Sequence, residues 1–161
     1  MKTKLAGGTE MATPRPANPK DNFPAATLRH FHDAEILREA NSYENALCHY
    51  AFSVECAQKA LLYWSNHLRS ETHSLNQEWQ EKVRPLLDAW ATLDGGVAAA
   101  LPNETMPPKL YEDHPSRRYH KSFLCSQQEM DDCQNFSEKM QQTLINMIIS
   151  GLITDKGGYE P

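Results

Sequence analysis

One long stretch of the chain places apolar residues at helical spacing with no proline or glycine to interrupt it. The apolar positions alternate between steps of four and three residues: Tyr43, Leu47, Tyr50, Val54, Ala57, Leu61, Trp64 and Leu68. Such a stripe covers one face of an α-helix, here about 39 Å long at about 1.5 Å per residue. Alanines at 46, 51, 57 and 60 leave room for a second helix to approach closely. The stretch predicts a long helix at the centre of an all-α fold.

Three other segments predict further helices around this one. The stretch "TLRHFHDAEILREA" has helical spacing, with Thr27 as a candidate N-cap. The sequence "SLNQ" at 74–77 resembles a capping box, and Pro85 is expected to kink or split the helix that follows. The sequence "SQQE" at 126–129 is a second capping box, ahead of an apolar stripe from Met130 to Ile148. We therefore expect an up-and-down bundle of four to five helices.

The predicted helices divide the chain into a single domain and two tails. Residues 1–24 hold four of the ten prolines and show no apolar period, which predicts a flexible N-terminal tail. Residues 25–154 form the predicted bundle, with a long loop at 95–121, and residues 155–161 form a C-terminal tail. The chain shows neither a secretory signal nor an apolar run of about 18 residues. We expect a cytoplasmic protein that does not enter a membrane.

The cysteines do not have the spacing of a common metal motif. Cys48 and Cys56 are eight residues apart, and so are Cys125 and Cys133. Zinc knuckles place their cysteines two to four residues apart, and residues two helical turns apart are too distant for a disulfide. We interpret the four cysteines as small core residues, with a composite Cys/His site across helices as the alternative. No metal and no cofactor is expected.

The segment "HPSRRYHK" at 114–121 gathers positive charge in a chain whose formal net charge is −5. A histidine can donate or accept a proton near neutral pH, and an arginine presents a fork of donors that matches phosphate oxygens. The overall acidity argues against non-specific coating of DNA, but a local basic patch can hold one stretch of RNA or a nucleotide. The segment therefore predicts contact with a phosphate group.

The stretch "DAEILREANSYENALCHYAFSVECAQKALL" resembles the HEPN domain, the higher eukaryotes and prokaryotes nucleotide-binding domain. The part "SVECAQKALL" is similar to the heart of that family's second helix, with Glu55 and Lys59 in the matching places. "THSL" at 72–75 resembles a His-Asp-Leu stretch, with Ser74 where aspartate is common. "SRRYH" at 116–120 resembles an Arg-Tyr-Pro stretch, with His120 where proline is common. The resemblance covers roughly residues 28–149.

This resemblance implies a four- to five-helix bundle that commonly forms dimers. Many members of the family are metal-independent RNases of toxin or defence systems. Others are non-catalytic companions of nucleotidyltransferase toxins, or binding modules. The RNase members share an arginine followed, after four to six residues, by a histidine. This chain departs from that pattern, because no arginine has a histidine at that spacing, and "RSETH" leaves three residues between Arg69 and His73.

The basic segment supplies the groups that metal-free RNA cleavage requires. That chemistry needs a base for the 2′-hydroxyl proton, an acid for the leaving oxygen and a cation for the charged phosphorane. We assign Arg118 and His120 as candidate catalytic residues, of which a two-fold homodimer would bring two sets to a shared cleft. We assign His114, Arg117 and Lys121 as candidate ligands of phosphate or nucleic acid.

A structural interpretation of the same residues stands beside this one. Arg117 and Arg118 would then anchor the loop by pairing with acids such as Asp113 or Asp132. Tyr119 would pin the loop onto the bundle.

The other polar residues receive structural interpretations. Glu55 and Lys59, four residues apart with the acid first, are interpreted as a structural pair at a helix interface. His73 is interpreted as a cap or loop residue, and the nearby Arg69 keeps a site open there. The remaining histidines receive no role in a site: His30 and His32 point to different sides of a helix, and His49 and His67 are ordinary helix positions.

Two functional hypotheses follow. In the first, a HEPN-like protein engages RNA or a nucleotide in a toxin, defence or stress system, as a candidate metal-independent RNase. In the second, a non-catalytic HEPN-like module binds or neutralises a partner protein, such as a nucleotidyltransferase or a larger effector complex. The missing arginine–histidine spacing favours the second hypothesis, and the composition of the basic segment favours the first.

Overall fold

The regular structure of the described residues is helical throughout. The structure, a computed structural model, describes residues 21–66 and 72–152. Its α-helices, in chain order, are α1 (Phe23–Glu39), α2 (Tyr43–Asn66), α3 (Leu75–Glu78), α4 (Arg84–Ala91), α5 (Gly95–Ala100), α6 (Pro108–Tyr111) and α7 (Gln127–Ile149). A π-helical stretch, Trp79–Val83, joins α3 to α4, and a 3-10 turn, Ser116–Tyr119, follows α6. The prediction of an all-α protein is confirmed.

Helix α1 begins five residues before its predicted start, with Asn22 and not Thr27 as its N-cap. The Asn22 side chain accepts a hydrogen bond of 2.9 Å from the backbone N–H of Ala25, and Pro24 lies in the first turn. Proline suits this position because its fixed φ is helical and the first turn needs no N–H donor. Thr27 is not the cap: it is fully buried, and its hydroxyl donates to the Phe23 carbonyl. The predicted tail therefore ends earlier than residue 24, and its residues 1–20 lie outside the described residues.

Helix α2 is the central helix, packed against both α1 and α7. The predicted stripe is buried from Leu47 to Leu61, and all four alanines at 46, 51, 57 and 60 are fully buried. Small side chains let the neighbouring helices approach, because nothing but a methyl group separates the backbones. Tyr43, at the start of the stripe, is 38% exposed. Leu68 lies outside the described residues.

The helix predicted to follow residue 74 changes its type next to Pro85. A π-helical stretch runs up to Val83, and α4 begins at Arg84 with Pro85 in its first turn. Val83 and Arg84 keep helical backbone angles, so the chain is not split at Pro85, and only the type of helix changes there. The capping box predicted at 74–77 is wrong, because the Ser74 side chain makes no cap bond and the Gln77 amide donates to Glu81 instead.

The segment predicted as a long loop, 95–121, contains short helices, so that prediction is wrong. Asp94 caps α5 by accepting from the N–H groups of Gly96 and Val97 at 2.8 and 3.0 Å. Met106 and Leu110, which belong to this segment, are fully buried. Each short helix is held by one or two buried side chains, too few to produce a periodic pattern in the sequence.

Helix α7 has the predicted start and the predicted buried face. The Ser126 hydroxyl accepts from the Glu129 N–H, and the Glu129 carboxylate accepts from the Ser126 N–H at 2.7 Å, which completes the capping box. Hydrogen bonds from Ser126 lower the pKa of Glu129. The buried apolar face consists of Met130, Cys133, Phe136, Met140, Leu144 and Met147.

The four cysteines are free thiols. Cys48 and Cys133 are buried, as predicted for core residues, and Cys56 and Cys125 are half-buried. Within residues 21–66 and 72–152, none of the helices combines the length and the apolar character that crossing a membrane requires.

Trp79 joins the π-helical stretch to the rest of the fold, and its replacement tests this packing. Trp79 is fully buried, donates its indole N–H to the Glu104 carbonyl at 2.7 Å and meets Phe136 edge to face. We expect Trp79→Phe to lower the free energy of unfolding by about 2 kcal/mol, from lost volume and a lost donor. Trp90→Phe, at a half-buried position of α4, should cost less than about 1 kcal/mol. Equal losses in urea unfolding would contradict this account.

Candidate functional site

Glu55 is a buried carboxylate that three basic side chains surround. It lies on α2, and its side chain is 6% exposed. The Lys59 ammonium, one helical turn later, contacts its Oε1 atom. His73 Nδ1 lies 2.8 Å from the same oxygen, and His114 Nε2 lies 2.7 Å from Oε2. We call these four residues the Glu55 cluster.

Three separate parts of the fold bring the Glu55 cluster together. Glu55 and Lys59 share a face of α2, as the spacing of four residues requires. His73 lies in the segment that leads into α3. His114 follows α6 and comes after Asp113, whose φ of 55° turns the chain. Aspartate tolerates this left-handed conformation better than most residues.

The basic neighbours keep the Glu55 carboxyl ionised. Burial by itself would raise the pKa of Glu55, because a carboxylate loses hydration inside a protein. Hydrogen bonds from His114 and Lys59, the Lys59 charge and the bond from His73 outweigh burial and lower this pKa to about 2. Glu55 therefore carries a full negative charge across the range in which the protein would function.

The ionised carboxylate orients the His73 ring. A carboxylate can only accept hydrogen bonds, so the Nδ1 atom that faces it carries the proton. The neutral ring then holds its lone pair on Nε2, on the side away from Glu55. The His73 side chain is 52% exposed. It lines a surface pocket of about 340 Å³ with Ser74, Asn76, Gln77, Tyr111 and His114.

Aromatic contacts connect the Glu55 cluster to the basic segment. The Phe52 ring meets the His114 ring edge to face, with 4.9 Å between centroids. The Arg118 guanidinium lies over the Phe52 ring at 5.7 Å and over the Tyr119 ring at 4.7 Å. Arg118 is exposed at this position, so its donors remain available to a ligand next to the cluster.

The structure places Arg117 inside the protein, which corrects its assignment as a phosphate ligand. Arg117 is 4% exposed, and its guanidinium donates to the carbonyls of Lys109, Leu110 and Glu112. These carbonyls lie at the end of α6, where the last turn leaves them without helical partners. Arg117 thus anchors the loop, as in the structural interpretation, but through carbonyls rather than through acidic side chains.

His114 is also buried, so its assignment as a surface phosphate ligand is corrected in the same way. Its side chain is 1% exposed and is committed to Glu55. Arg118, His120 and Lys121 are exposed. His120 lines a small depression of about 50 Å³ with Glu112 and Asp113. The catalytic roles of Arg118 and His120 and the binding role of Lys121 stay predictions.

A second cluster of potential metal-binding groups lies between α1 and α2. His30 Nδ1 and His49 Nδ1 are 3.3 Å apart, and Asp33 Oδ2 is 3.8 Å from His49 Nδ1. All three residues are half-buried. Burial, and then the neighbouring His49 and Arg29, lower the pKa of His30. In the sequence His30 stands near His32, but the fold brings His30 against His49, which is 19 positions away.

Sequence reasoning missed the centre of the site. It interpreted Glu55 as a structural partner of Lys59 and His73 as a cap or loop residue. Two features of the sequence pointed to a site at these residues: Glu55 matches the HEPN-like stretch, and His73 is close to Arg69 in the sequence. Arg69 lies outside the described residues.

Comparisons of this chain with protein-family models, with curated proteins and with solved structures found no match.

The charge on Glu55 predicts a specific pH dependence of stability. Because the pKa of Glu55 is lowered from 4.5 to about 2 by folding, its contribution is complete above about pH 5 and is lost as the pH falls towards 2. We expect Glu55→Gln to lower the free energy of unfolding by about 3 kcal/mol at neutral pH. The difference from the wild type should shrink as acid protonates Glu55. Urea unfolding at a series of pH values measures this.

Glu138→Gln, an exposed position on α7, is the matched control and should change stability by less than about 0.5 kcal/mol at any pH. A Glu55→Gln deficit that stayed constant down to about pH 2 would show that the carboxylate charge is not what stabilises the cluster.

Proposed function

We propose that this protein binds RNA and cleaves it without a metal ion, with His73 as the general base and Glu55 as the residue that positions it. The observation that carries this proposal is the bond from His73 Nδ1 to a buried, ionised carboxylate, with the rest of the ring facing a pocket. A carboxylate–histidine pair of this kind holds the tautomer that can accept a proton at Nε2. The toxin, defence or stress setting follows from the HEPN-like sequence and belongs to the same proposal.

The chemistry assigns a step to each group. His73 Nε2 takes the proton of a ribose 2′-hydroxyl, and the 2′ oxygen forms a bond to the adjacent phosphorus. The bond from phosphorus to the 5′ oxygen breaks, and that oxygen takes a proton from His120, to which this proposal gives the role of acid. Arg118, beside Phe52, stabilises the charge on the phosphorane. The products are a 2′,3′-cyclic phosphate and a 5′-hydroxyl end.

The cost of burying Glu55 supports a functional role for the cluster. A purely structural ion pair at the surface contributes little to stability, whereas a buried carboxylate loses several kcal/mol of hydration that its partners must offset. Groups with strongly shifted pKa values beside a pocket concentrate at functional sites. In this protein the shifted carboxylate lies directly behind a half-exposed histidine.

The finer description of the fold belongs to the proposal as well. We propose an up-and-down bundle of the HEPN type, which the packing of α2 against α1 and α7 supports. We also propose a homodimer formed through the long helices, since one chain presents Arg118 and His120 once and a two-fold axis would double them.

The alternative is a non-catalytic module that binds a partner protein, such as a nucleotidyltransferase or a larger effector complex. Two exposed apolar residues favour it: Tyr119, within the basic segment, is 76% exposed, and Leu124, just after the segment, is 91% exposed. Exposed apolar groups next to charge are common where a protein partner docks.

The decisive experiment is cleavage of a mixed tRNA and mRNA pool by purified protein in EDTA. We expect wild-type protein to produce 2′,3′-cyclic phosphate ends and His73→Ala to reduce the rate by at least about 100-fold. The Arg118→Ala, His120→Ala double variant should be similarly slow. His32→Ala, an exposed histidine of α1, is the matched control and should retain the wild-type rate.

Circular dichroism and light scattering establish that each variant is folded and has the wild-type assembly state. No cleavage by folded wild-type protein, or equal rates for His73→Ala and the wild type, would contradict the catalytic proposal. The first of these outcomes would favour the partner-binding alternative.

The phosphate role of Arg118 predicts a change in the salt dependence of RNA binding. Each phosphate contact to a single strand adds about 0.7 to the slope of log Kd against log salt concentration. We therefore expect Arg118→Ala to reduce that slope by about 0.7, measured by the anisotropy of a labelled single-stranded RNA. Lys139→Ala, an exposed cation of α7, should leave it unchanged. An unchanged slope in Arg118→Ala would remove Arg118 from the RNA contact.

A further inference from the structure

Three side chains of α1 and α2 bring potential metal-ligand atoms close together. His30 and Asp33 are three residues apart and therefore lie on one face of α1. His49 lies on α2. One ring nitrogen from each histidine and a carboxylate oxygen of Asp33 all lie within 4.8 Å of one another. We call these residues the His30 cluster.

The distances match the ligand spacing of a small transition-metal ion. Zinc binds imidazole nitrogen at about 2.0–2.1 Å, so two ligands at a tetrahedral centre are about 3.3 Å apart. The two Nδ1 atoms of the His30 cluster are 3.3 Å apart. Asp33 Oδ2 is 3.8 Å from His49 Nδ1, and the Asp33 side chain is 41% exposed. A small rotation of this partly exposed side chain brings its oxygen to ligand distance.

The charges around the two clusters favour the His30 cluster as the metal site. At the Glu55 cluster, the Lys59 ammonium contacts the carboxylate, so a metal ion would have to displace a positive charge. In the part of the chain that the structure describes, the ion pair of Asp33 is with His49, and no lysine or arginine pairs with it. Arg29 directly precedes His30 in the sequence, and its side chain is exposed.

We infer that His30, Asp33 and His49 bind a transition-metal dication, and that Zn²⁺ is the ion this ligand set suits best. Two imidazoles and one carboxylate are a common zinc ligand set, with a fourth position left for water or another ligand. The bound ion ties α1 to α2. The Phe52 ring lies 5.6 Å from the His30 ring and 4.9 Å from the His114 ring, so the metal site adjoins the Glu55 cluster. The inference is independent of RNA cleavage.

Metal titration of the full chain, free of any affinity tag, tests this site. The protein is stripped with EDTA, dialysed and titrated with Zn²⁺ in a calorimeter, and Co²⁺ is added to a second sample to report geometry by absorption. We expect one Zn²⁺ per chain and the intense visible bands of tetrahedral Co²⁺. His49→Ala and Asp33→Asn should each weaken Zn²⁺ binding by more than about tenfold, since even residues outside the ligand set change affinity by about that much.

Two variants separate this site from other histidines. His32→Ala removes an exposed α1 histidine outside the His30 cluster, and His73→Ala removes one from the Glu55 cluster; both should bind Zn²⁺ as the wild type does. Thermal unfolding in EDTA checks the fold of every variant. If His49→Ala does not fold, the Zn²⁺ affinity of Asp33→Asn tests the site in its place.

Three results would each overturn the inference: no stoichiometric Zn²⁺ binding by the wild type, binding that survives in the folded His49→Ala or Asp33→Asn variant, or binding that is lost in His73→Ala. The last result would place the metal at the Glu55 cluster. Because the readout is metal stoichiometry, none of these results depends on whether RNA is cleaved.

Discussion

A single buried negative charge organises much of this protein. Glu55 lies inside the fold, where an unpaired carboxylate would cost several kcal/mol of lost hydration. Its partners come from α2 itself, from the segment before α3 and from the segment after α6. The charge therefore requires these three parts of the chain to meet at one place. Removing any partner leaves the carboxylate less compensated, which explains why the path of the chain around residue 114 is tied to the central helix.

The same interaction gives two histidines different environments. His114 is enclosed and holds the loop onto α2, whereas His73 is half exposed beside a pocket. Both rings bond to Glu55, but it is the His73 ring that is exposed to a ligand. Arg117 supports this arrangement by donating to the carbonyls of Lys109 and Leu110 in the last turn of α6. His114 and Arg117 thus hold the loop in place, whereas His73 keeps an exposed ring beside the pocket.

Some features set by residues close in sequence could be predicted, although the capping box at 74–77 does not form. Features set by distant residues could not be predicted. The stripe of α2 and the capping box at Ser126 each depend on spacings of a few residues, and both are present. The start of α1 was misplaced because Asn22 and Pro24 together cap it better than Thr27 does. His114 meets Glu55 across 59 positions, and Arg117 turns inward because α6 ends beside it. No pattern among neighbouring residues indicates the contact of His114 with Glu55 or the burial of Arg117. The sequence therefore predicts a uniform basic surface for this segment.

Nuclear magnetic resonance can show which ring nitrogen of His73 carries the proton, and therefore whether the Glu55 carboxylate fixes the His73 tautomer. Long-range ¹H–¹⁵N correlation spectra of labelled protein distinguish a ring protonated at Nδ1 from one protonated at Nε2. We expect neutral His73 to carry its proton on Nδ1, and we expect Glu55→Gln to remove this preference while the protein stays folded. A His73 ring protonated at Nε2, or a pattern unchanged in Glu55→Gln, would contradict this expectation.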